Sequence, residues 1–427
     1  MNKYYFVISL AIIVFIGSYS VFNAGYNPEE PAEEVEQVDE LKKEETDDGL
    51  DYGEDNEKDI EDEGLTEKEG EEEDKDEPGE DKADNSLTNL IEDIDPHPES
   101  RVKCRRKIKG IPSPKAVEFH PSGDEFWVAS LMNKKYGLVV FDSETGERLA
   151  EIKLPDGGGV EISFDSNGSY GYVSQMETGR IFKINTQNRE IEDTYQARGT
   201  WTKVVKLEGG YIFASNWSSN DISKVDSKTG QLLEKIPTAA TPRGMHIDND
   251  FLYVAGFANG EIRRHNLKTG EEESLIMTGG AMRDLVGTEK HIYGSDMASG
   301  TIYRLEKETG RVDKFVETEN NPNTIRIIED KNILVVSNRG INHHSGNYNI
   351  PGPEWGTILF YSLEDGKLLE ALVGGNQPTG LAIYEARLVY SNFLDGELIL
   401  CDLPPTENFL KGPSERVKSY KQDIKKQ

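Results

Sequence analysis

The residues best suited to chemistry in this chain lie in one stretch, RGINHHSGNYNIPGPEW, from Arg339 to Trp355. His343 and His344 carry nitrogen atoms that bind metal ions, but adjacent histidines seldom point to the same ion and no third ligand is evident. Tyr348 and Trp355 offer flat, partly apolar surfaces that suit a sugar, a peptide or an aromatic group. We therefore predict a ligand-binding loop without a metal, with a plain surface loop pinned by Trp355 as the alternative.

The elements that position this loop come from a repeat of about 40 residues that begins at Pro114. Turns such as SETG, SKTG and KETG recur, and Gly230, Gly270 and Gly310 are spaced by 40 residues. Apolar segments that end in small polar residues, such as FWVAS, IFASN and LVVSN, precede these turns, and openers such as PRGMHI and PTGLAI begin the units. A period of this length is typical of propellers and solenoids, and the alternating stretches between landmarks predict strands.

Together these motifs resemble the YVTN-repeat family of seven-bladed β-propellers, found among bacterial surface and exported proteins, over residues 101–405. The family resemblance implies an all-β fold, and the openers count seven units: Pro114, Gly159, Thr202, Pro242, Met282, Pro322 and Pro378. The last unit supplies only three strands, so we expect the strand at 101–110 to complete its blade. The loop at 340–355 then lies between the second and third strands of the sixth blade, on the face where the family's relatives usually bind ligands.

The two cysteines test this closure. In four units the third and fourth strands pair at residues seven apart, and the fourth-strand member lies eleven residues before the second residue of the next opener. Counting eleven back from Lys115 gives Cys104, and Cys401 occupies the matching position of the last unit. We predict that the two face each other and form a disulfide, as expected outside the cytoplasm, with two buried thiols as the alternative.

Two columns of equivalent positions reach the loop-bearing face. The second opener residue is cationic in four of seven units: Lys115, Val160, Lys203, Arg243, Arg283, Asn323 and Thr379. The residue after the second strand is apolar in six of seven: Leu131, Met176, Trp217, Phe257, Met297, Arg339 and Phe393. Cations concentrated at the channel mouth indicate an anionic ligand or a trapped carboxylate. Solvated charge and packing between blades are the alternatives.

The sequence thus predicts a binding module that recognises an anionic small ligand or an envelope partner. The candidate ligand-binding residues are Arg243, Arg283, Asn216, Trp217, Arg339, His343, His344 and Trp355. Arginines would bind the anionic group and aromatic rings would supply contact area. One alternative is a metal-dependent hydrolase, like the lactonases built on related propellers, with Glu161, Asn216 and Asp296 as ligands; the other is a purely structural surface protein. The sequence lacks haem, zinc, nucleotide and serine-hydrolase motifs, so we predict no cofactor and no catalytic residue and favour a binding protein over an enzyme.

The segments outside the repeats differ in composition. Residues 26–100 hold 34 Asp and Glu against 6 Lys, so that residues 101–427 carry only about −4 of the total net charge of −31. We predict that this acidic linker is disordered, because it has almost no aromatic or β-branched residues. Residues 4–22 are uncharged and follow Lys3. Their length predicts a signal anchor within 1–25, a single membrane pass that places the propeller outside the cytoplasm. A cleaved signal peptide, which would release a secreted protein, is the alternative.

A basic tail at 406–427 follows the propeller. Aromatic residues do not alternate with its cations as they do in nucleic-acid grooves, so we predict no nucleic-acid partner. We expect the protein to be a monomer.

Overall fold

The computed structural model describes residues 91–132 and 135–426. The predicted signal anchor and the acidic linker up to residue 90 fall outside these residues. Among the residues that are described, no helix combines the length and the apolar character needed to cross a membrane. They form seven antiparallel sheets, each of which is one blade of the predicted all-β propeller.

The strands follow the predicted units. Two strands precede the first blade, β1 (Ile91–Asp93) and β2 (Lys103–Lys109). Blade one contains β3 (Pro114–Phe119), β4 (Glu125–Ser130), β5 (Leu138–Asp142) and β6 (Arg148–Ile152); blade two contains β7 (Ile162–Phe164), β8 (Tyr170–Gln175), β9 (Arg180–Asn185) and β10 (Ile191–Gln196). Blade three contains β11 (Thr202–Glu208), β12 (Tyr211–Asn216), β13 (Asp221–Asp226) and β14 (Leu232–Pro237); blade four contains β15 (Pro242–Asp248), β16 (Phe251–Gly256), β17 (Glu261–Asn266) and β18 (Glu272–Met277).

The remaining blades and helices complete the described chain. Blade five contains β19 (Met282–Gly287), β20 (His291–Asp296), β21 (Thr301–Glu306) and β22 (Val312–Glu317). Blade six contains β23 (Pro322–Ile328), a 3-10 turn (Glu329–Lys331), β24 (Ile333–Asn338), β25 (Thr357–Ser362) and β26 (Leu368–Val373). Blade seven contains β27 (Pro378–Tyr384), β28 (Arg387–Asn392) and β29 (Glu397–Asp402), and the helices α1 (Thr406–Phe409) and α2 (Arg416–Asp423) follow.

The propeller closes between β2, near the start of the described chain, and β29, its last strand. Strand β2 pairs with β29, so the seventh sheet has the order β1-β2-β29-β28-β27. Cys104 lies opposite Cys401 in this register, and a disulfide joins the two side chains. The predicted closing strand and the predicted disulfide are both confirmed.

Strand β1 lies before residue 101, within the segment that we assigned to the acidic linker. Strand β1 adds a fifth strand to blade seven, where Glu92 lies 2.6 Å from Lys109 and Asp93 lies 3.6 Å from Arg106. Ile91 packs against the hydrophobic cluster between blades seven and one. The acidic composition of residues 26–100 predicted no strand here. Strand β1 forms because cations of β2, and not the residues next to β1 in sequence, pair with its carboxylates.

The hydrophobic core of the described residues is divided into seven clusters, each between two neighbouring blades. Phe126 and Phe141 of blade one, for example, pack against Leu398 and Leu400 of blade seven. Both faces of each blade are therefore covered by a neighbour. This explains why second strands such as β4 and β24 are apolar along most of their length instead of alternating.

The small polar residues at the ends of the second strands link adjacent blades. The hydroxyl of Ser174 donates a hydrogen bond of 2.6 Å to the carbonyl of Lys203 in the next blade. Ser391 donates in the same way to Pro114, at 3.0 Å, across the closure. A serine at this position satisfies a buried carbonyl of the neighbouring inner strand, which accounts for its recurrence.

The C-terminal residues pack against the propeller. Phe409 of α1 lies in the cluster between blades six and seven, and Tyr420 of α2 lies in the cluster between blades five and six. The fully buried carboxylate of Glu370 accepts hydrogen bonds of 2.8 Å from the N–H of Arg101 and from the hydroxyl of Ser414. This carboxylate therefore joins the two ends of the folded domain.

Candidate functional site

The channel mouth is built by one backbone arrangement that recurs in five blades. The residue before the opening strand has a left-handed φ between 48° and 60° at Ser113, Trp201, Thr241, Asn321 and Gln377. Its carbonyl accepts a 3.1 Å hydrogen bond from the N–H of the residue after the second strand, at Leu131, Trp217, Phe257, Arg339 and Phe393 respectively. This bond places the two predicted columns next to each other around the mouth.

Five cations converge there, and we call them the cationic ring: Lys115, Lys203, Arg243, Arg283 and Arg339. The first four are the second residues of β3, β11, β15 and β19, and the fifth directly follows β24. Lys115, Arg283 and Arg339 are 9%, 7% and 7% exposed, and the other two are partly buried. Lys115 interacts electrostatically with all four other members, so these residues from five blades form one cluster.

Aromatic rings contact most of these cations. The Trp217 ring lies 5.2 Å from Nζ of Lys203 and 5.1 Å from Cζ of Arg243. The Phe393 ring lies 5.5 Å from Nζ of Lys115. An aromatic face attracts a cation by about 0.5–2 kcal/mol without neutralising its charge. These contacts position the cations and leave their positive charge available.

Within the described part of the chain, no member of the cationic ring forms an ion pair with a carboxylate. Burial, and after it the neighbouring cations, hold the pKa values of Lys115 and Lys203 well below their usual 10.5. Burial also lowers the pKa values of Arg243, Arg283 and Arg339. These lowered pKa values mean that the surroundings of each side chain disfavour its charged form.

Deeper in the channel the charges are paired. Arg326 lies 3.3 Å from Asp284 and 3.9 Å from Glu118. Glu161 and Lys206 line the same cavity. Three carboxylates thus accompany two cations in this lower layer, whereas the mouth above it has five cations without a carboxylate partner among the described residues.

The insertion in blade six brings an aromatic ring to the mouth. It lies between β24 and β25, as predicted, and the Tyr348 ring is 4.1 Å from Cζ of Arg339 and 5.5 Å from the Phe393 ring. The carbonyl of Tyr348 accepts a 2.9 Å hydrogen bond from the amide of Gln377, and the same amide accepts one from Arg339. Tyr348 is therefore held against the cationic ring by side-chain and backbone contacts.

The other candidate residues of the insertion make contacts outside the cationic ring. The backbone N–H of Trp355 donates a hydrogen bond of 2.7 Å to the carbonyl of Ile424, and Nζ of Lys426 lies 4.4 Å from the indole ring of Trp355. These contacts bind Trp355 to the C-terminal residues. His343 and His344 lie against each other, with ring centroids 3.9 Å apart, in the exposed part of the loop.

Four of the eight candidate residues meet at the mouth: Arg243, Arg283, Arg339 and Trp217. Asn216 does not join them, because its amide donates to Asp221 at 2.6 Å and to Ser223 at 2.8 Å inside blade three. The last residue of a second strand points into its own blade, and the residue after it reaches the mouth.

The candidate set also omitted residues that the structure brings to the mouth. Lys115 and Lys203 stand in the cationic opener column, which was a sufficient signal to include them. Phe393 stands in the apolar column. Tyr348 was recognised as a possible contact surface, but no sequence spacing indicates which aromatic residue of a long loop turns inward.

The metal ligands of the alternative hydrolase function are not assembled. The carboxylate of Asp296 accepts hydrogen bonds from Thr278 at 2.6 Å and from the N–H of Ala281 at 2.8 Å within blade five. Asn216 is held inside blade three, and only Glu161 of the trio lines the channel cavity. In residues 91–132 and 135–426, no group of three or more His, Cys, Asp or Glu residues is placed to hold a metal ion.

Comparison with known proteins supports the fold and goes no further. No protein-family model matches the chain, and no curated protein matches it. A solved structure described as Kuenenia stuttgartiensis hydrazine synthase aligns over 69% of this chain and 97% of its own, with a TM-score of 0.58 and 15% identity. At this identity the likeness shows a shared propeller fold and no shared activity.

Proposed function

We propose that this protein is a binding module that recognises an anionic ligand at the mouth of its propeller channel. The observation that carries the proposal is the cationic ring, in which five largely buried cations lie together without a carboxylate partner in the described residues. Buried charge without a counterion is costly to maintain. A bound anion would supply the missing counter-charge and so offset this cost.

Removing two central arginines tests the proposal. In calorimetric titrations of the full chain with pyrophosphate, the double variant Arg243→Gln, Arg283→Gln is expected to bind at least about 100-fold more weakly, since each charge-assisted contact contributes about 1.5–3 kcal/mol. Arg264→Gln is the matched control, because Arg264 also lies over an aromatic ring, 5.1 Å from that of Phe251, but in the outer part of blade four. Equal binding by wild type and the double variant, or no binding of any anion by the wild type, would contradict the proposal.

We further infer that the module belongs to the YVTN-repeat family and is tethered outside the cytoplasm by a single-pass N-terminal anchor. The repeated strands, turns and openers support the family assignment. The uncharged segment 4–22 supports the anchor, and the disulfide between Cys104 and Cys401 supports an oxidising compartment. Fractionation of untreated cells should recover the protein with the membranes, and protease treatment of intact cells should digest the propeller. Recovery in the medium would indicate a cleaved signal peptide, and complete protection would place the protein inside.

A further inference from the structure

We propose that the ligand is a compact oxyanion with at least two negative charges, a class that includes di- and triphosphate groups and small polycarboxylates. This inference rests on the function proposed above and narrows it to one kind of ligand. Three features of the mouth support it: the amount of uncompensated charge, the buried polar atoms that lack partners, and the limited space.

The charge of the mouth calls for more than one negative charge. The cationic ring holds five cations, and the carboxylates of Asp284 and Glu118 below it already flank Arg326. Glu161 attracts Arg243 and Arg283, and Asp284 attracts Arg283, but neither forms an ion pair with the ring, and together they carry fewer charges than its five cations. A singly charged ligand would therefore leave most of the ring without a counter-charge. In a partly desolvated site, each further negative charge gains attraction to several cations at once.

Several polar atoms at the mouth are buried and have no hydrogen-bond partner in the described residues. They are Nε of Arg243, Nε of Arg339, and both side-chain amide atoms of Asn323. Asn323 is only 1% exposed and is the second residue of β23, the position that Arg283 occupies in β19 and Thr379 in β27. Buried polar groups are almost always hydrogen-bonded, so the three donors in this set, the two arginine Nε–H groups and the amide nitrogen of Asn323, indicate a ligand with several acceptor oxygen atoms.

The space favours a compact molecule over a polymer or a protein surface. Lys115, Arg283 and Arg339 are less than one-tenth exposed, so an acidic group must enter the channel to reach them. Tyr348 lies across part of the entrance, between Arg339 and Phe393. The cavity that continues below the ring has a volume of only about 20 Å³, which is room for little more than one water molecule, so a ligand has little space to extend below the ring.

A charge series tests the inference on the full chain, purified in a mild detergent. Calorimetric titration with nitrate, sulfate, pyrophosphate and citrate at constant ionic strength should show affinity rising by about tenfold for each added charge. Lys203→Met, which removes one cation from the edge of the ring, should reduce the difference in affinity between pyrophosphate and nitrate. Lys224→Met is the matched control, because Lys224 lies 4.5 Å from the Tyr211 ring in the outer part of blade three.

The outcomes separate this inference from the proposed function. Tighter binding of pyrophosphate than of citrate would support a di- or triphosphate group, and the reverse order would support a polycarboxylate. If nitrate binds as tightly as pyrophosphate and both depend on Arg243 and Arg283, anion recognition stands and the inference about charge is wrong. A long polyanion such as heparin that outcompetes pyrophosphate would overturn the compact ligand. Absence of binding by every anion, with the fold intact by circular dichroism, would overturn both.

Discussion

Replacing Lys115 by methionine should stabilise the unligated protein. Lys115 is 9% exposed, lies 5.5 Å from the Phe393 ring and has no carboxylate partner in the described residues. Its pKa is lower in the folded state than the usual 10.5, mainly through burial and then through the other ring cations. A group whose pKa falls on folding binds its proton more weakly when folded, so at neutral pH this charge opposes folding.

The magnitude follows from two opposing contributions. Exchanging a buried ion pair for apolar side chains of similar volume stabilises a protein by up to about 4 kcal/mol, and we take this as the scale for the unpaired cation of Lys115. The lost attraction to Phe393 offsets about 1 kcal/mol of that gain. The net expectation is an increase of about 1–3 kcal/mol in the free energy of unfolding, or a rise of a few degrees in the thermal midpoint.

The assay is thermal unfolding of the full chain in dilute buffer with monovalent salt, repeated with pyrophosphate. Without pyrophosphate, Lys115→Met should melt above wild type; with it, the wild type should gain more, because the ligand stabilises the state that it binds. Lys224→Met, which removes a cation that also contacts an aromatic ring but lies outside the mouth, should not melt above wild type. A lower midpoint for Lys115→Met without pyrophosphate would refute the reasoning, since the cation would then be stabilised by its surroundings.

Three further predictions concern the same site and the closure. Sulfate affinity should fall as pH rises from 7 toward 10, because Lys115 and Lys203, whose pKa values lie well below 10.5, lose their positive charge while sulfate keeps its two negative charges; equal affinities at pH 7 and pH 9.5 would argue against it. Tyr348→Ala should speed pyrophosphate dissociation several-fold in stopped-flow measurements, whereas Ile350→Ala in the exposed part of the loop should not, and equal rates in both variants would remove Tyr348 from the site. Glu370→Gln should lower the free energy of unfolding by about 1–3 kcal/mol, because it weakens buried hydrogen bonds to Arg101 and Ser414. Glu364→Gln on an exposed turn should have no measurable effect in the same urea titration, and an equal loss in both variants would contradict the role assigned to Glu370.

The sequence by itself determined the blade count, the closure and the disulfide. These features depend on short-range patterns, such as the spacing of Gly230 and Gly270, and on a register that repeats from blade to blade. Once the units are aligned, counting residues is enough to pair Cys104 with Cys401 across the ring. The cationic column at the second opener position was visible for the same reason, because a repeat converts equivalent positions into neighbours in space.

Only the tertiary structure decided which of these residues form a site. Burial of the cationic ring and the lack of carboxylate partners among the described residues arise from contacts between five blades, and no local pattern reports them. Tyr348 turns toward the mouth because it contacts Gln377 and Arg339, whereas His343 and His344 of the same loop do not make these contacts. Strand β1 likewise forms because the next strand, β2, places cations opposite its carboxylates. Local chemistry sets the repeat, and long-range packing determines where charge is left unpaired.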